Sequence, residues 1–122
     1  MSAPRFLILL AGLAAFLAPG AGAVAAAELI VIEKAGCPFC VRFEKEVGRL
    51  YDRTDEGKRA PLRRVDNEKA FPDDLRFVTP ERITPTFVLV DGGREIARLR
   101  GYPGEDFFYA ALGTMLAKLP EK

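Results

Sequence analysis

The sequence predicts an α/β domain in which a small four-stranded sheet is flanked by helices. Short apolar runs rich in β-branched residues alternate with amphipathic segments, in the order β-α-β-(α)-β-β-α. Residues 91–93, Asp-Gly-Gly, separate two of these runs as the turn of a β-hairpin would. The chain has 122 residues, which are too few for two ordinary domains, so a single core is expected.

The first half of the domain predicts a strand, a helix and a second strand. Residues 29–32 are apolar and β-branched, as in a buried strand. A helix opens at Cys37 and ends at a polar break over residues 55–58, and residues 62–65 form a weaker strand candidate. Apolar side chains at helical spacing predict the buried face of this helix: Cys40, Phe43, Val47 and Leu50.

The second half predicts a hairpin and a closing helix. After an irregular stretch with a short helix near residues 73–77, residues 86–90 form the clearest strand of the chain. Residues 95–99 alternate like a half-buried return strand, and residues 105–119 form the last helix, which Pro120 stops. The aromatic residues near the start of this helix are expected in the core: Phe107, Phe108 and Tyr109.

Residues 1–27 have the three parts of a signal peptide. A short positive start ends at Arg5, residues 6–18 are apolar, and small residues follow up to an Ala-x-Ala sequence. The predicted cut lies before Glu28, and a second possible cut lies before Val24.

An uncleaved membrane anchor is the alternative interpretation of this leader. The stretch 6–27 carries no charge and is long enough to span a bilayer. In both cases the domain formed by residues 28–122 is exported, and membrane contact is expected only if the leader stays uncleaved. We expect the domain in a bacterial periplasm, where disulfides can persist.

Composition excludes several classes of function. Arg5 is the only charge in the leader, so residues 28–122 carry 17 charges of each sign, unlike a general nucleic-acid binder. The chain has no histidine, which rules out a histidine base, a histidine metal ligand and a histidine-containing triad. Two cysteines remain as the candidates for chemistry.

Cys37 and Cys40 form a C-x-x-C pair at the predicted strand-to-helix junction. The unpaired N–H groups and the positive dipole of a helix N-terminus stabilise a thiolate, and Pro38 fits the first helical turn. Cys40 lies one turn further on, where it can attack a mixed disulfide formed at Cys37. We therefore expect Cys37 to be an exposed nucleophile and Cys40 to be the buried resolving thiol of a redox-active disulfide.

Two other uses of the cysteine pair are possible. A static structural disulfide is one, although a bridge that closes so short a loop constrains the unfolded chain little. A metal is the other, but a tetrahedral zinc site needs four ligands, so no metal is expected within one chain. A metal or iron–sulfur cluster shared between two chains stays open.

These motifs resemble the thioredoxin superfamily over residues 28–119. The features that carry the resemblance are the C-x-x-C after a strand, Thr84-Pro85 before a strong strand, and the Gly-Gly hairpin. The resemblance implies a thioredoxin-like fold with a central four-stranded mixed sheet flanked by helices. Pro38-Phe39 is similar to the Pro-aromatic pair of glutaredoxins. Residues 100–103 and the long last helix resemble small periplasmic thioredoxins, among them the SoxS kind of sulfur-oxidation thioredoxin.

The resemblance also implies a substrate groove. Pro85 would be a cis proline lying against the cysteines, and the Thr84 backbone would pair with an extended substrate strand. An ordinary trans proline at the start of a strand is the alternative. Pro38, Phe39 and Gly36 would complete the substrate-binding surface.

The chain departs from the family pattern at three places. Gly36 stands where thioredoxins usually have tryptophan, and Val31 stands where many carry a buried acid. Glu33 and Lys34 are then the nearest charges, and we expect them to be solvated loop residues rather than groups that tune the thiolate. Residues 104–106 only partly match the glutathione contact of glutaredoxins.

The function expected from these features is that of an exported thiol–disulfide oxidoreductase, a monomer without metal or organic cofactor. The absence of a histidine between the cysteines favours a reductase of periplasmic protein disulfides over an oxidase. The resemblance implies a membrane thiol–disulfide transporter as electron donor, and no nucleic-acid partner is expected. The alternatives are a redox-sensing binding module of thioredoxin fold and a glutathione-dependent glutaredoxin.

Overall fold

A computed structural model describes residues 26–121 of the chain. Its sheet has four strands: β1 (Glu28–Glu33), β2 (Leu62–Asp66), β3 (Thr86–Asp91) and β4 (Arg94–Arg100). Their order in the sheet is β2-β1-β3-β4, so β2 and β4 are the edge strands. Strand β1 runs parallel to β2 and antiparallel to β3, which pairs antiparallel with β4. The sheet is therefore mixed and four-stranded, as predicted.

The helical segment that carries the cysteines changes character along its length. It begins as α1 (Pro38–Phe43), passes through a π-helical turn (Glu44–Gly48) and ends as α2 (Arg49–Tyr51). A π turn holds an extra residue, so the buried face moves on by one position. Tyr51 is buried as a result, and the prediction that Leu50 is buried was wrong, because its side chain is exposed.

A short helix that the sequence analysis missed follows this segment. Helix α3 (Asp55–Arg59) lies where only a polar break was predicted. The Thr54 hydroxyl caps it by accepting a hydrogen bond from the Gly57 N–H at 3.0 Å. A Cβ atom at Gly57 would lie 2.0 Å from the Tyr51 carbonyl oxygen, so the close approach of the two segments requires glycine.

The rest of the chain follows the predicted order. A single 3-10 turn (Asp73–Leu75) takes the place of the helix predicted near residues 73–77. Gly92 and Gly93 have φ values of 59° and 76°, which fits the two-residue hairpin turn between β3 and β4. The last helix, α4 (Glu105–Leu116), ends three residues earlier than predicted, although Leu119 beyond it is buried.

Both faces of the sheet are covered. On one face, Phe43, Phe87 and Phe108 pack with ring centroids 4.7 to 5.4 Å apart and join α1 and α4 to β3. The prediction that Phe107 lies in the core was wrong: it is 71% exposed, because its neighbour Phe108 takes the inward position. The opposite face buries a smaller apolar cluster: Ile30, Ile32, Val65, Leu75, Val78, Val88 and Val90.

The predicted signal peptide falls almost wholly outside the described residues. Ala26 and Ala27 are its only described members, and they lead directly into β1. Within residues 26–121, every helix is too short or too polar to span a lipid bilayer.

Candidate active site

Cys37 and Cys40 form a disulfide at the start of α1, with their Cα atoms 5.3 Å apart. The loop from β1 turns at Gly36, whose φ of +73° favours glycine. Cys37 is the N-cap of α1, and Pro38 occupies the first helical turn, where a missing N–H is tolerated. Local sequence therefore brings both sulfur atoms to the helix N-terminus.

Two hydrogen-bond donors point at the Sγ atom of Cys37. The backbone N–H of Cys40 donates to it at 3.1 Å, and the Thr84 hydroxyl donates to it at 3.3 Å. The Thr84 carbonyl oxygen lies 3.3 Å from the same sulfur, where it can accept a hydrogen bond from the reduced thiol. Because donors and a helix N-terminus favour the charged form of a cysteine, this arrangement stabilises a Cys37 thiolate.

The two cysteines are both buried in the disulfide form. Cys40 is buried as predicted, but the prediction that Cys37 is exposed was wrong, because only 5% of it is accessible. Its sulfur is bonded to Cys40 on one side and contacted by Thr84 on another, which leaves little of it uncovered.

The five other predicted site residues lie on two segments. Gly36, Pro38 and Phe39 are exposed and flank Cys37 along the chain. Thr84 is half-buried, Pro85 is buried, and the peptide bond between them is cis. The structure thus brings Thr84 against Cys37, 47 residues away in sequence.

The segment that carries Thr84, called the site loop here (residues 79–85), contains no helix or strand. Side chains from distant elements hold it: Arg98 binds the Thr79 carbonyl, and Asn67 and Arg100 bind Glu81. Sequence reasoning missed these anchoring residues, because no local motif marks an ion pair between residues 19 positions apart. It also assigned Thr84 only a backbone role and missed its hydroxyl.

Glu33 is the acidic group at the end of β1, four residues before Cys37. Burial raises its pKa, and the Arg64 guanidinium opposes that effect. Because Glu33 is half-buried at the end of a strand, the expectation that it is a solvated loop residue was wrong, whereas its neighbour Lys34 is exposed as expected.

Comparison with known proteins identifies the family. A family model described as a thioredoxin-like domain matches residues 22–116. The chain belongs to this thioredoxin-like family. It is also similar to the periplasmic thioredoxin SoxS from Paracoccus pantotrophus in its reduced form, with 40% sequence identity and a TM-score of 0.71. That match covers 75% of this chain and 97% of SoxS.

More distant structures share the thioredoxin-like fold alone. A thioredoxin-fold protein from Helicobacter pylori is 22% identical with a TM-score of 0.60, covering 75% of this chain and 70% of its own. A thioredoxin from Thermus thermophilus is 22% identical with a TM-score of 0.58. That match covers 76% of this chain and 75% of the Thermus chain. The comparison with curated proteins found no match. The family, the cysteine pair and the likeness to SoxS together support thiol–disulfide oxidoreductase chemistry.

A polar clamp joins the active-site helix of this thioredoxin-like domain to the loop before α4. The Tyr102 hydroxyl donates to Glu46 at 2.5 Å, and Arg42 donates to the other oxygen of Glu46 at 2.8 Å. These two bonds lower the pKa of Glu46, while burial and the bond to Glu46 raise the pKa of Tyr102. The clamp fixes the helix turn that follows Cys40.

The described part of this thioredoxin-like chain offers the cysteine pair as its evident reactive group. Within residues 26–121, no cluster of three or more Cys, Asp or Glu side chains is arranged to bind a metal ion. The chemistry that the cysteine pair supports is exchange between a dithiol and a disulfide.

Proposed function

We propose that this protein is an exported thiol–disulfide oxidoreductase that reduces disulfides of periplasmic partner proteins. One observation carries the proposal: the Cys37 sulfur receives hydrogen bonds from the Cys40 N–H and the Thr84 hydroxyl while it is bonded to Cys40. After reduction, the same donors would stabilise the Cys37 thiolate, and Cys40 would lie close enough to resolve a mixed disulfide, as dithiol exchange requires.

The proposed reaction runs in two displacements that transfer two electrons. The Cys37 thiolate attacks one sulfur of the substrate disulfide, forms a mixed disulfide and releases the first substrate thiolate. Cys40 then loses its proton and attacks the Cys37 Sγ, which releases the second substrate thiolate. The substrate ends as a dithiol and the protein ends with its Cys37–Cys40 disulfide.

The substrate groove is proposed to lie between the two segments of the site. Phe39 gives the cysteine side an exposed aromatic surface, beside Pro38 and Gly36. On the opposite side, the Thr84 backbone would pair with an extended substrate segment next to Pro85. This role for Thr84 is supported by its position against the Cys37 sulfur.

The reducing direction and the compartment are further parts of the proposal. No histidine lies between the cysteines to stabilise the thiolate further, which favours a reducing couple. A membrane thiol–disulfide transporter would then return the disulfide to the dithiol. The likeness to a periplasmic thioredoxin supports export to the periplasm. Recovery of the protein in the fraction released by osmotic shock would test that location.

The reduction potential of the exported protein tests the direction. Equilibration against glutathione and dithiothreitol buffers should give a value near that of thioredoxin, about −270 mV. A value near about −120 mV would reverse the direction to oxidase. Absence of a reversible couple would contradict the enzyme proposal and leave the redox-sensing binding module.

A trapping experiment tests the order of the two displacements. Cys40→Ser should accumulate mixed disulfides with periplasmic proteins, which dithiothreitol releases, because the resolving thiol is missing. Cys37→Ser is the matched control and should trap none. Equal trapping by both variants would contradict the assigned roles, and turnover of a glutathione mixed disulfide by the unaltered protein would favour the glutaredoxin alternative.

A further inference from the structure

The site loop is anchored through its backbone carbonyl groups. Arg98 on β4 donates two N–H groups to the Thr79 carbonyl, at 3.0 and 3.1 Å. Asn67, just after β2, donates to the Glu81 carbonyl at 2.6 Å. The loop is therefore tied to elements on both sides of the sheet centre.

The carbonyl groups at every second residue, from Thr79 to Pro85, are bound in this way, and the two nearest to β3 are those of Ile83 and Pro85. The Ile83 carbonyl accepts from the Thr86 hydroxyl at 2.6 Å, and the Pro85 carbonyl accepts from the Gly101 N–H at 2.8 Å. The Thr84 carbonyl and hydroxyl, which lie between these anchors, are the groups that contact the active-site sulfur. Their position is thus set by bonds on either side of them.

Glu81 is the loop residue that three of the anchoring side chains contact, namely Asn67, Arg98 and Arg100. Its Oε2 atom accepts from Arg100 at 2.6 Å and lies 3.5 Å from Arg98, while its Oε1 atom accepts from the Arg82 N–H at 3.1 Å. The side chains of Arg98 and Glu81 are only 9% and 18% exposed. Because the Arg98–Glu81 pair is largely shielded from water, it should hold its geometry better than an ordinary surface pair, whereas the Arg100 side chain is 56% exposed.

We propose that Glu81, bound by Arg98 and Arg100, is a positioning residue that holds the Thr84 hydroxyl on the Cys37 sulfur and so favours the Cys37 thiolate. Glu81 lies three residues before Thr84 and forms its hydrogen bonds with Asn67, Arg82 and Arg100 rather than with either cysteine, so it acts through the loop. The inference rests on the proposed function only in taking Cys37 as the attacking thiolate.

The direction in which the pKa of Cys37 changes distinguishes a positioning role of Glu81 from a direct effect of its charge. Removal of a negative charge near a thiol favours the thiolate and lowers the pKa of the cysteine. Loss of the Thr84 donor has the opposite effect and raises that pKa. Glu81→Gln removes the charge at nearly constant shape, so the direction in which the Cys37 pKa moves identifies the cause.

The test measures the rate at which iodoacetamide alkylates Cys37 in the reduced full-length protein as a function of pH. For Glu81→Gln we expect an alkylation rate about 3- to 10-fold lower at pH values below the Cys37 pKa, as expected for loss of one hydrogen bond. Glu95→Gln is the matched control: Glu95 accepts from the same Arg98 at 2.6 Å but does not bind the loop. Its rate should stay within about twofold of that of the unaltered protein.

A double-mutant cycle tests whether Glu81 acts through Thr84. Glu81→Gln should have no further effect on the alkylation rate in a Thr84→Val background, where the hydroxyl is already absent. A second variant, Asn67→Ala, removes a neutral anchor of the same loop and should also slow alkylation, with no change of charge.

Three results would overturn the inference: an unchanged rate in Glu81→Gln, a faster rate, or a slower rate that persists in the Thr84→Val background. Alkylation needs no partner protein, so these results are distinct from failure of the proposed function. That failure would appear instead as the absence of a reversible Cys37–Cys40 couple, whatever the alkylation rates.

Discussion

The two segments that meet at the active site are built in different ways. The cysteine segment (residues 36–43) owes its geometry to neighbours in sequence: a glycine with positive φ, an N-capping cysteine and a proline in the first helical turn. The site loop has no such local pattern and is held by partners up to 19 residues away.

This difference separates the groups that react from the group that modifies their reactivity. The cysteine segment contains every atom that changes bonds, and its backbone geometry is fixed within one helical turn. The site loop adds one donor, the Thr84 hydroxyl, at a position that depends on ion pairs across the sheet. Substitutions in the cysteine segment should therefore impair folding or abolish exchange. Substitutions in the site loop should instead change the reactivity of a site that stays intact.

The largest effect is expected where the cysteine segment is seated on the sheet. Phe43→Ala should lower the free energy of unfolding by about 3 to 5 kcal/mol, because it leaves a cavity among Phe87, Phe108 and Tyr102. Denaturation in guanidinium chloride measures the loss. Phe107→Ala is the control on α4 and should change stability by no more than about 0.5 kcal/mol. Equal losses in the two variants would contradict the packing described.

A smaller effect is expected at the turn into the cysteine segment. Gly36→Ala should destabilise the protein by about 1 to 2 kcal/mol, because a side chain disfavours φ = +73° even where nothing lies within 4 Å of the added atom. Gly113→Ala, also in open space but inside α4, should instead stabilise by about 0.4 to 1 kcal/mol. Thermal unfolding of both variants checks the opposite signs. A stabilising Gly36→Ala would show that the turn does not need glycine.

In the site loop, Thr84→Val should leave the fold intact and raise the pKa of Cys37. The thiolate fraction below that pKa should fall about 3- to 10-fold, because the hydroxyl donor at 3.3 Å is lost. The ultraviolet absorbance of the thiolate, followed during a pH titration of the reduced protein, measures the shift. Thr84→Ser keeps the hydroxyl and should stay close to the unaltered protein. A pKa that Thr84→Val leaves unmoved would show that the hydroxyl has no part in stabilising the thiolate.

The smallest effect is a difference in acid stability between Glu81 and Glu33. The hydrogen bond from Arg100 lowers the folded-state pKa of Glu81 below its usual 4.5, so its stabilising contribution is present above that pH and is lost on acidification. Burial raises the pKa of Glu33 above 4.5, so its contribution is present at low pH and is lost as the pH rises through the folded value.

Unfolding temperatures measured between about pH 3 and pH 7 separate the two carboxyl groups. In Glu81→Gln, the unfolding temperature should fall less steeply when the pH is lowered below the usual glutamate pKa. Glu33→Gln should remove the loss of stability that occurs as the pH rises through the raised folded-state pKa of Glu33. Identical profiles for the two variants would contradict the opposite shifts.

The cysteine segment could be predicted from the sequence because each of its determinants is local. A short stretch of sequence, about ten residues long, contains the preceding strand, the proline of the first helical turn and the two cysteines. The π turn was not predictable from spacing, because an apolar residue stands at both position 50 and position 51. The helix face was therefore assigned one residue too early.

The site loop could be predicted only in part. Thr84-Pro85 was identified by its resemblance to a family motif, but nothing near it in sequence indicates Asn67, Arg98 or Arg100. An ion pair between Glu81 and β4 depends on the register of the hairpin, which sets where arginines at alternate positions of that strand lie. The burial of Cys37 was missed for the same reason, since the residue that covers it comes from the loop.

The arginines of the outer strands have a consequence for how this protein avoids aggregation. The backbone of an edge strand is a template on which another chain can form additional cross-chain ladders. Here β2 carries Arg63 and Arg64, and β4 carries Arg94, Arg98 and Arg100. Bulky cations at both edges of the sheet disfavour such ladders between chains. Arg100, which anchors the site loop and has a side chain that is 56% exposed, is therefore also one of the charges that protect this edge of the folded domain.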